Sequence, residues 1–112
     1  LQTLTPEFKR ILIKSKEFAE NNGAEFYFVY LTKIQRYNNK NFDINENDYD
    51  NLIKFIKNSN IKLINIHKEL FAKYDNPLDL FAPTFRNETA HYNEEGYMLV
   101  SKVILYFLSK DK

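Results

Sequence analysis

The sequence lacks cysteine and tryptophan, and it carries almost no excess charge of either sign. Without cysteine, the chain can form no disulfide framework, no thiol nucleophile and no cysteine metal site. Sixteen basic and fifteen acidic residues give a formal net charge of +1, which favours neither nucleic acid nor an anionic membrane as a partner. No apolar run approaches the roughly 18 residues that a membrane-spanning helix requires. We therefore expect no nucleic-acid partner and no membrane partner.

The chain is instead rich in large apolar side chains, with eight Tyr and ten Phe among 112 residues. That length supports one domain and excludes a multidomain enzyme. The first residue is Leu1 rather than methionine, which is typical of a trimmed or processed piece. We interpret residues 1–112 as a single α/β domain or as the C-terminal fragment of a larger one.

Alternating helix and strand signals predict an α/β fold. Thr5 and Pro6 are a favourable helix start, and Gly23 suits the left-handed position that ends a helix. Two short apolar runs, Phe26 to Leu31 and Ile61 to Ile66, predict strands, and we expect the first to be covered on both faces. A helix between the two strands makes them a parallel βαβ unit.

Two further helices are predicted. Asn47 or Asp48 caps the helix between the strands, and the polar stretch from Lys33 to Asn47 before it is either a functional loop or a solvated insertion. Asn93 caps the last helix, which we expect to be mostly buried because apolar residues occupy so much of its surface. These are Tyr97, Met98, Val100, Val103, Ile104, Leu105, Phe107 and Leu108.

The two histidines are the candidates for chemistry. His67 follows the second strand directly, and a lone histidine there is more often structural or exposed than catalytic. His91 lies just before the helix capped by Asn93, which returns antiparallel to the strands. The start of that helix therefore lies at their carboxyl edge, where open α/β sheets bind ligands. His91 is either a general base, if a carboxylate fixes its tautomer, or a surface loop histidine.

The segment around His91 resembles the last sequence block of the SGNH (GDSL-type) hydrolases. In that family an Asp-x-x-His motif serves a catalytic serine, and here Glu88 occupies the position of the Asp. The resemblance implies a flavodoxin-like, three-layer αβα fold with a parallel sheet. It also implies a serine ester hydrolase (an esterase or acyl-ester hydrolase) with an ester substrate, with His91 and Glu88 as catalytic residues and with neither a metal ion nor an organic cofactor.

The catalytic serine of that family is missing from this chain, together with its Gly-Asp-Ser block. None of the four serines has the strand-to-helix setting of a nucleophile; they are Ser15, Ser59, Ser101 and Ser109. We therefore interpret the chain as the C-terminal portion of a parent hydrolase and predict that it is inactive alone.

The alternative is a non-catalytic α/β module that binds a protein partner or assembles with itself. Two strands make a marginal sheet, and their edges need cover. The partner is then either the missing N-terminal half or a second copy of the chain, and we predict that the isolated chain is not a clean monomer.

Overall fold

A computed structural model describes residues 4–38, 46–83 and 90–111. These residues form a mixed α/β structure that is mostly helical. Its helices and strands are α1 (Pro6–Asn21), β1 (Tyr27–Tyr30), α2 (Glu46–Asn58), β2 (Lys62–Asn65), α3 (Ile66–Glu69) and α4 (Glu94–Lys110). Short 3₁₀ helices lie at Ile34–Arg36, Phe71–Lys73 and Pro77–Leu80. No helix within these described ranges has the length and apolar character needed to cross a bilayer.

Helix α1 begins and ends where the sequence predicts. The Thr5 hydroxyl accepts a hydrogen bond from the backbone N–H of Phe8 at 3.1 Å, and Pro6 occupies the first turn, where its missing N–H costs nothing. Gly23 follows the helix with a φ of +75°, a left-handed conformation that glycine adopts without steric strain.

Strands β1 and β2 are parallel neighbours, as predicted, and each is one residue shorter at both ends than the apolar run that predicted it. The prediction that β1 is covered on both faces is met in part: its four side chains, which alternate between the two faces, are all half-buried. Within the described part of the chain the sheet has two strands, so each strand has one edge without a strand neighbour. A buried strand of a parallel sheet normally has neighbours on both edges.

Helix α2 begins at Glu46, so the prediction that Asn47 or Asp48 caps it is wrong. Both residues lie inside the first turn, where the Asp48 carboxylate complements the positive end of the helix dipole. The helix ends at Asn58, and Asn60 adopts a left-handed φ of 56° before β2 begins. Asparagine tolerates that conformation better than most residues, which explains its use as the helix stop.

The described residues divide into two compact units, residues 4–28 with 46–63, and residues 29–38 with 64–83 and 90–111. In the first unit the rings of Phe8 and Phe28 pack edge to face, with centroids 6.4 Å apart. Its buried apolar residues are Leu12, Leu52, Ile56 and Ile61. The second unit is built around an aromatic cluster, Tyr37, Phe71, Phe81 and Tyr92, whose neighbouring ring centroids lie 5.2–6.0 Å apart.

The prediction that α4 is mostly buried is wrong. Only Gly96 and Val100 of this helix are buried. Helix α4 packs against α3 and against the 3₁₀ helix Pro77–Leu80, and a helix that contacts the rest of its unit along one side leaves its other side in solvent. Apolar residues occur all round this helix, so the sequence pattern alone did not distinguish its packed side from its exposed side.

Candidate functional site

Backbone hydrogen bonds fix the segment that carries His91. The carbonyl of His91 accepts from the N–H of Ala82 at 2.8 Å, and the N–H of Asn93 donates to the carbonyl of Leu80 at 2.9 Å. These bonds flank an isolated antiparallel bridge between Phe81 and Tyr92. The main chain at His91 is therefore held in place immediately before α4.

The predicted cap of α4 is confirmed. The Asn93 side-chain oxygen accepts from the N–H of Gly96 at 2.8 Å, and its amide nitrogen donates to the carbonyl of Asp79 at 2.7 Å. Gly96 lets the helix start approach this segment closely, because a Cβ there would overlap the carbonyl oxygen of Leu80 and touch Tyr92. The Asn-capped, glycine-containing helix start thus positions the chain just after His91.

Tyr92 ties the His91 segment to the carboxyl end of β1. Its hydroxyl accepts from the N–H of Thr32 at 2.9 Å and donates to the carbonyl of the same residue at 2.8 Å. Both groups are buried, and burial raises the pKa of the Tyr92 phenol, although the Thr32 hydrogen bond lowers it in part. The phenol therefore remains a neutral donor and acceptor, as the double contact with Thr32 requires.

A groove of about 210 Å³ lies at the carboxyl end of β1, and His91 is part of its wall. Buried Ile34 and Tyr92 contribute to it, whereas Leu31 and Tyr97 are exposed. Its lining residues are Leu31, Thr32, Lys33, Ile34, Ala90, His91, Tyr92 and Tyr97. His91 itself is exposed at the wall of the groove. The groove thus combines an apolar wall with an imidazole and one ammonium group.

The second histidine belongs to a hydrogen-bonded chain near the same strand ends. The Tyr37 hydroxyl lies 2.7 Å from His67 Nδ1 and 2.9 Å from Thr32 Oγ1. Since the phenol has one proton, it either donates to Thr32 while accepting from His67, or donates to His67 while accepting from Thr32. Burial raises the pKa of Tyr37, so the phenol is neutral in both arrangements.

The structure locates one of the two predicted catalytic residues. His91 lies in the groove, but Glu88 falls outside the described residues, so the contact between them stays a prediction. None of the eight groove-lining residues is a carboxylate or a serine. Among the described residues there is also no group of three or more His, Asp or Glu side chains placed to hold a metal ion.

Comparisons with protein-family models, with curated proteins and with solved structures found nothing that matches this chain. No similarity therefore assigns a function, and the chemistry of the groove is the basis for one.

Three residues that organise this region were not predicted from the sequence: Thr32, Tyr37 and Tyr92. One signal was available, because Thr32 and His67 both follow directly on predicted strands. The carboxyl ends of parallel strands share one edge of a sheet, which brings such residues together. The roles of Tyr37 and Tyr92 carried no such signal, since each depends on a chain reversal that only the folded structure defines.

Proposed function

We propose that this chain is the histidine-bearing, C-terminal portion of an SGNH-like serine ester hydrolase. On this proposal its two parallel strands belong to a flavodoxin-like, three-layer αβα sheet that the rest of the parent protein completes. The observation that carries the proposal is the position of His91, which is exposed in a groove at the carboxyl end of β1 and precedes a capped helix. Catalytic residues of open α/β folds lie at that edge.

In this function His91 acts as a general base. Its imidazole takes the proton of a serine hydroxyl supplied from outside residues 1–112, while the serine oxygen attacks the ester carbonyl. It then returns the proton to the departing alkoxide. Glu88, three residues earlier, would hold the ring in the required tautomer. The backbone bonds around His91 and the Tyr92 contact with Thr32 support this role, because a base must be held in position to act.

The groove supports an ester with an apolar acyl or alcohol part. Leu31, Ile34 and Ala90 provide the apolar surface, and His91 lies beside it. At about 210 Å³ the groove is smaller than the roughly 300–1,000 Å³ of typical small-molecule sites, which fits a site that this chain forms only in part.

The test uses the parent protein that the proposal requires. A fluorophosphonate probe should label one serine outside residues 1–112, and the protein should hydrolyse a short chromogenic ester. His91→Ala should lower kcat at least about a thousandfold, since a triad works as a unit. Glu17→Gln, at an exposed position of α1, is the control and should change kcat by less than about threefold, because Glu17 does not line the groove.

Two results would end this proposal. One is the absence of serine labelling in a folded parent protein, and the other is unchanged kcat in His91→Ala. The role of Glu88 is separable, because Glu88→Gln should lower kcat by about tenfold or more without changing the labelling stoichiometry at long times.

A second candidate is a module that binds a protein partner or a second copy of itself. The observation that favours it is that α4 exposes several large apolar side chains, which seldom cluster on the surface of a soluble monomeric protein. A monomeric chain that completes an active parent enzyme would exclude this candidate.

A further inference from the structure

One side of α4 exposes a cluster of large apolar side chains. Tyr97, Met98, Leu105 and Tyr106 are 53%, 46%, 61% and 61% exposed, respectively. Met98 and Leu105 lie seven residues apart, which is almost two full helical turns, so they fall on the same line along the helix. The two tyrosines lie on either side of that line. We call this line, with the two flanking tyrosines, the seam, because its seven-residue spacing is that of helices that pair.

The centre of the seam allows a second helix to approach closely. Ser101 is small, and its hydroxyl donates to the carbonyl of Met98 at 2.8 Å, so it needs no partner from elsewhere. Lys102, also near the centre, lines a hollow between α4 and α3 that contains Glu69. Glu69 is already paired with Lys73 at 3.3 Å, and the long stem of Lys102 can lie along this hollow with its ammonium group away from the seam.

The ends of α4 carry opposite charges. Glu94 and Glu95 occupy the first turn, and Lys110 occupies the last. Lys110 Nζ lies between two rings, 5.9 Å from the centroid of Tyr106 and 5.6 Å from that of Phe107. A helix with acidic residues at its start and a basic residue at its end complements an antiparallel copy of itself, and antiparallel helix dipoles also attract.

These features coincide in one register. If two α4 helices pair antiparallel about the midpoint between Ser101 and Lys102, Met98 of each copy faces Leu105 of the other. In the same register Glu94 and Glu95 come within about 3 Å, measured along the helix axis, of the second copy's Lys110. A single twofold arrangement thus covers the apolar side chains and also brings the opposite charges close together.

We propose that α4 is a homodimer interface, in which two copies of this chain pair antiparallel through the Met98–Leu105 seam. The proposed interface borders the His91 groove at Tyr97, and it does not depend on the hydrolase function. The partner is a second copy because the charge pattern and the apolar spacing of α4 are self-complementary.

The first test measures mass by light scattering over a concentration series of the 112-residue chain. The mass should rise from that of the monomer, 13.4 kDa, towards twice that value. Leu105→Lys should weaken the dimer Kd about a hundredfold or more, because one substitution removes two apolar side chains from a symmetric interface. Phe18→Lys is the matched control, since Phe18 is 72% exposed on α1, and it should leave the Kd unchanged.

The second test reverses charges at the ends of α4. A variant with Glu94→Lys and Glu95→Lys has basic groups at both ends, and a Lys110→Glu variant has acidic groups at both ends. Each should dimerise at least about tenfold more weakly than the unmodified chain, and an equimolar mixture should recover a heterodimer. A control with Glu7→Lys and Glu17→Lys carries the same added charge on α1 and should not pair with the Lys110→Glu variant.

Circular dichroism shows whether each variant keeps its helical content, so that a lost dimer is not confused with unfolding. A constant monomer mass at the highest concentration overturns the proposal. Equal weakening by Phe18→Lys and Leu105→Lys also overturns it. Failure of the charge-reversed mixture to recover a dimer overturns the antiparallel register.

Discussion

Removal of one oxygen atom from Tyr92 should destabilise the protein substantially. In Tyr92→Phe the ring remains, so its packing against Phe71 and Phe81, at 5.2 Å between centroids, is preserved. The buried N–H and carbonyl of Thr32 both lose the partner that the hydroxyl provided. A buried polar group left without a partner costs about 1–3 kcal/mol, so two such groups predict a loss of about 2–6 kcal/mol in the free energy of unfolding.

Urea unfolding followed by circular dichroism measures this loss. With a denaturant slope of about 2 kcal/mol per molar urea, the midpoint should fall by about 1–3 M. Tyr97→Phe is the matched control, because Tyr97 contacts the Tyr92 ring but is itself exposed. Its effect should stay within about 0.5 kcal/mol, as for most exposed substitutions.

The outcome that refutes this reasoning is a small change in Tyr92→Phe, less than about 0.5 kcal/mol. It would mean that water or another side chain replaces the hydroxyl at Thr32, and that Tyr92 contributes through its ring alone. A change in the denaturant slope would instead indicate an altered denatured or native ensemble.

Three further predictions follow from other contacts. Gly96→Ala should lower the free energy of unfolding by about 1–3 kcal/mol in the same assay, because the added Cβ overlaps the Leu80 carbonyl oxygen. Alanine is otherwise the better helix former, so a stabilised variant would contradict this prediction. Burial raises the pKa of Tyr37, so the folded chain keeps a proton that the unfolded chain loses above about pH 10. The stability that this provides is complete below that pH and is lost as the pH rises through the folded-state pKa. The urea midpoint should therefore fall less steeply between about pH 9 and pH 11 in Tyr37→Phe than in the unmodified chain. An equal dependence of the midpoint on pH in the two proteins would argue against this. The 112-residue chain alone should neither hydrolyse a chromogenic ester nor label with a fluorophosphonate, and stoichiometric labelling of any of its serines would refute the missing-nucleophile interpretation.

The sequence predicted those features that local chemistry controls. Thr5 and Asn93 cap helices because short polar side chains satisfy the free N–H groups of a first turn. Gly23 ends α1 because it adopts a left-handed conformation without strain. The two parallel strands followed from short apolar runs separated by a helix. Each of these signals lies within a few residues of the feature that it determines.

The start of α2 shows where such local signals fail. Asn47 and Asp48 both favour a cap position, yet the helix begins at Glu46. An acidic or amide side chain is also acceptable in the first turn, so the sequence did not distinguish a cap from the turn that follows it.

The exposed side of α4 and the surroundings of the two histidines were decided by tertiary structure. Apolar side chains project from every side of α4, and only the contact of this helix with α3 and with Pro77–Leu80 determines which of them are buried. Tyr92 reaches Thr32 across 60 positions of sequence, and Tyr37 reaches His67 across 30. No periodicity or local propensity encodes contacts at such separations, because they exist only once the strands have paired and the chain has returned to their carboxyl ends. The sequence by itself placed a histidine before a capped helix; the fold decided that this histidine lies in a groove at the end of β1.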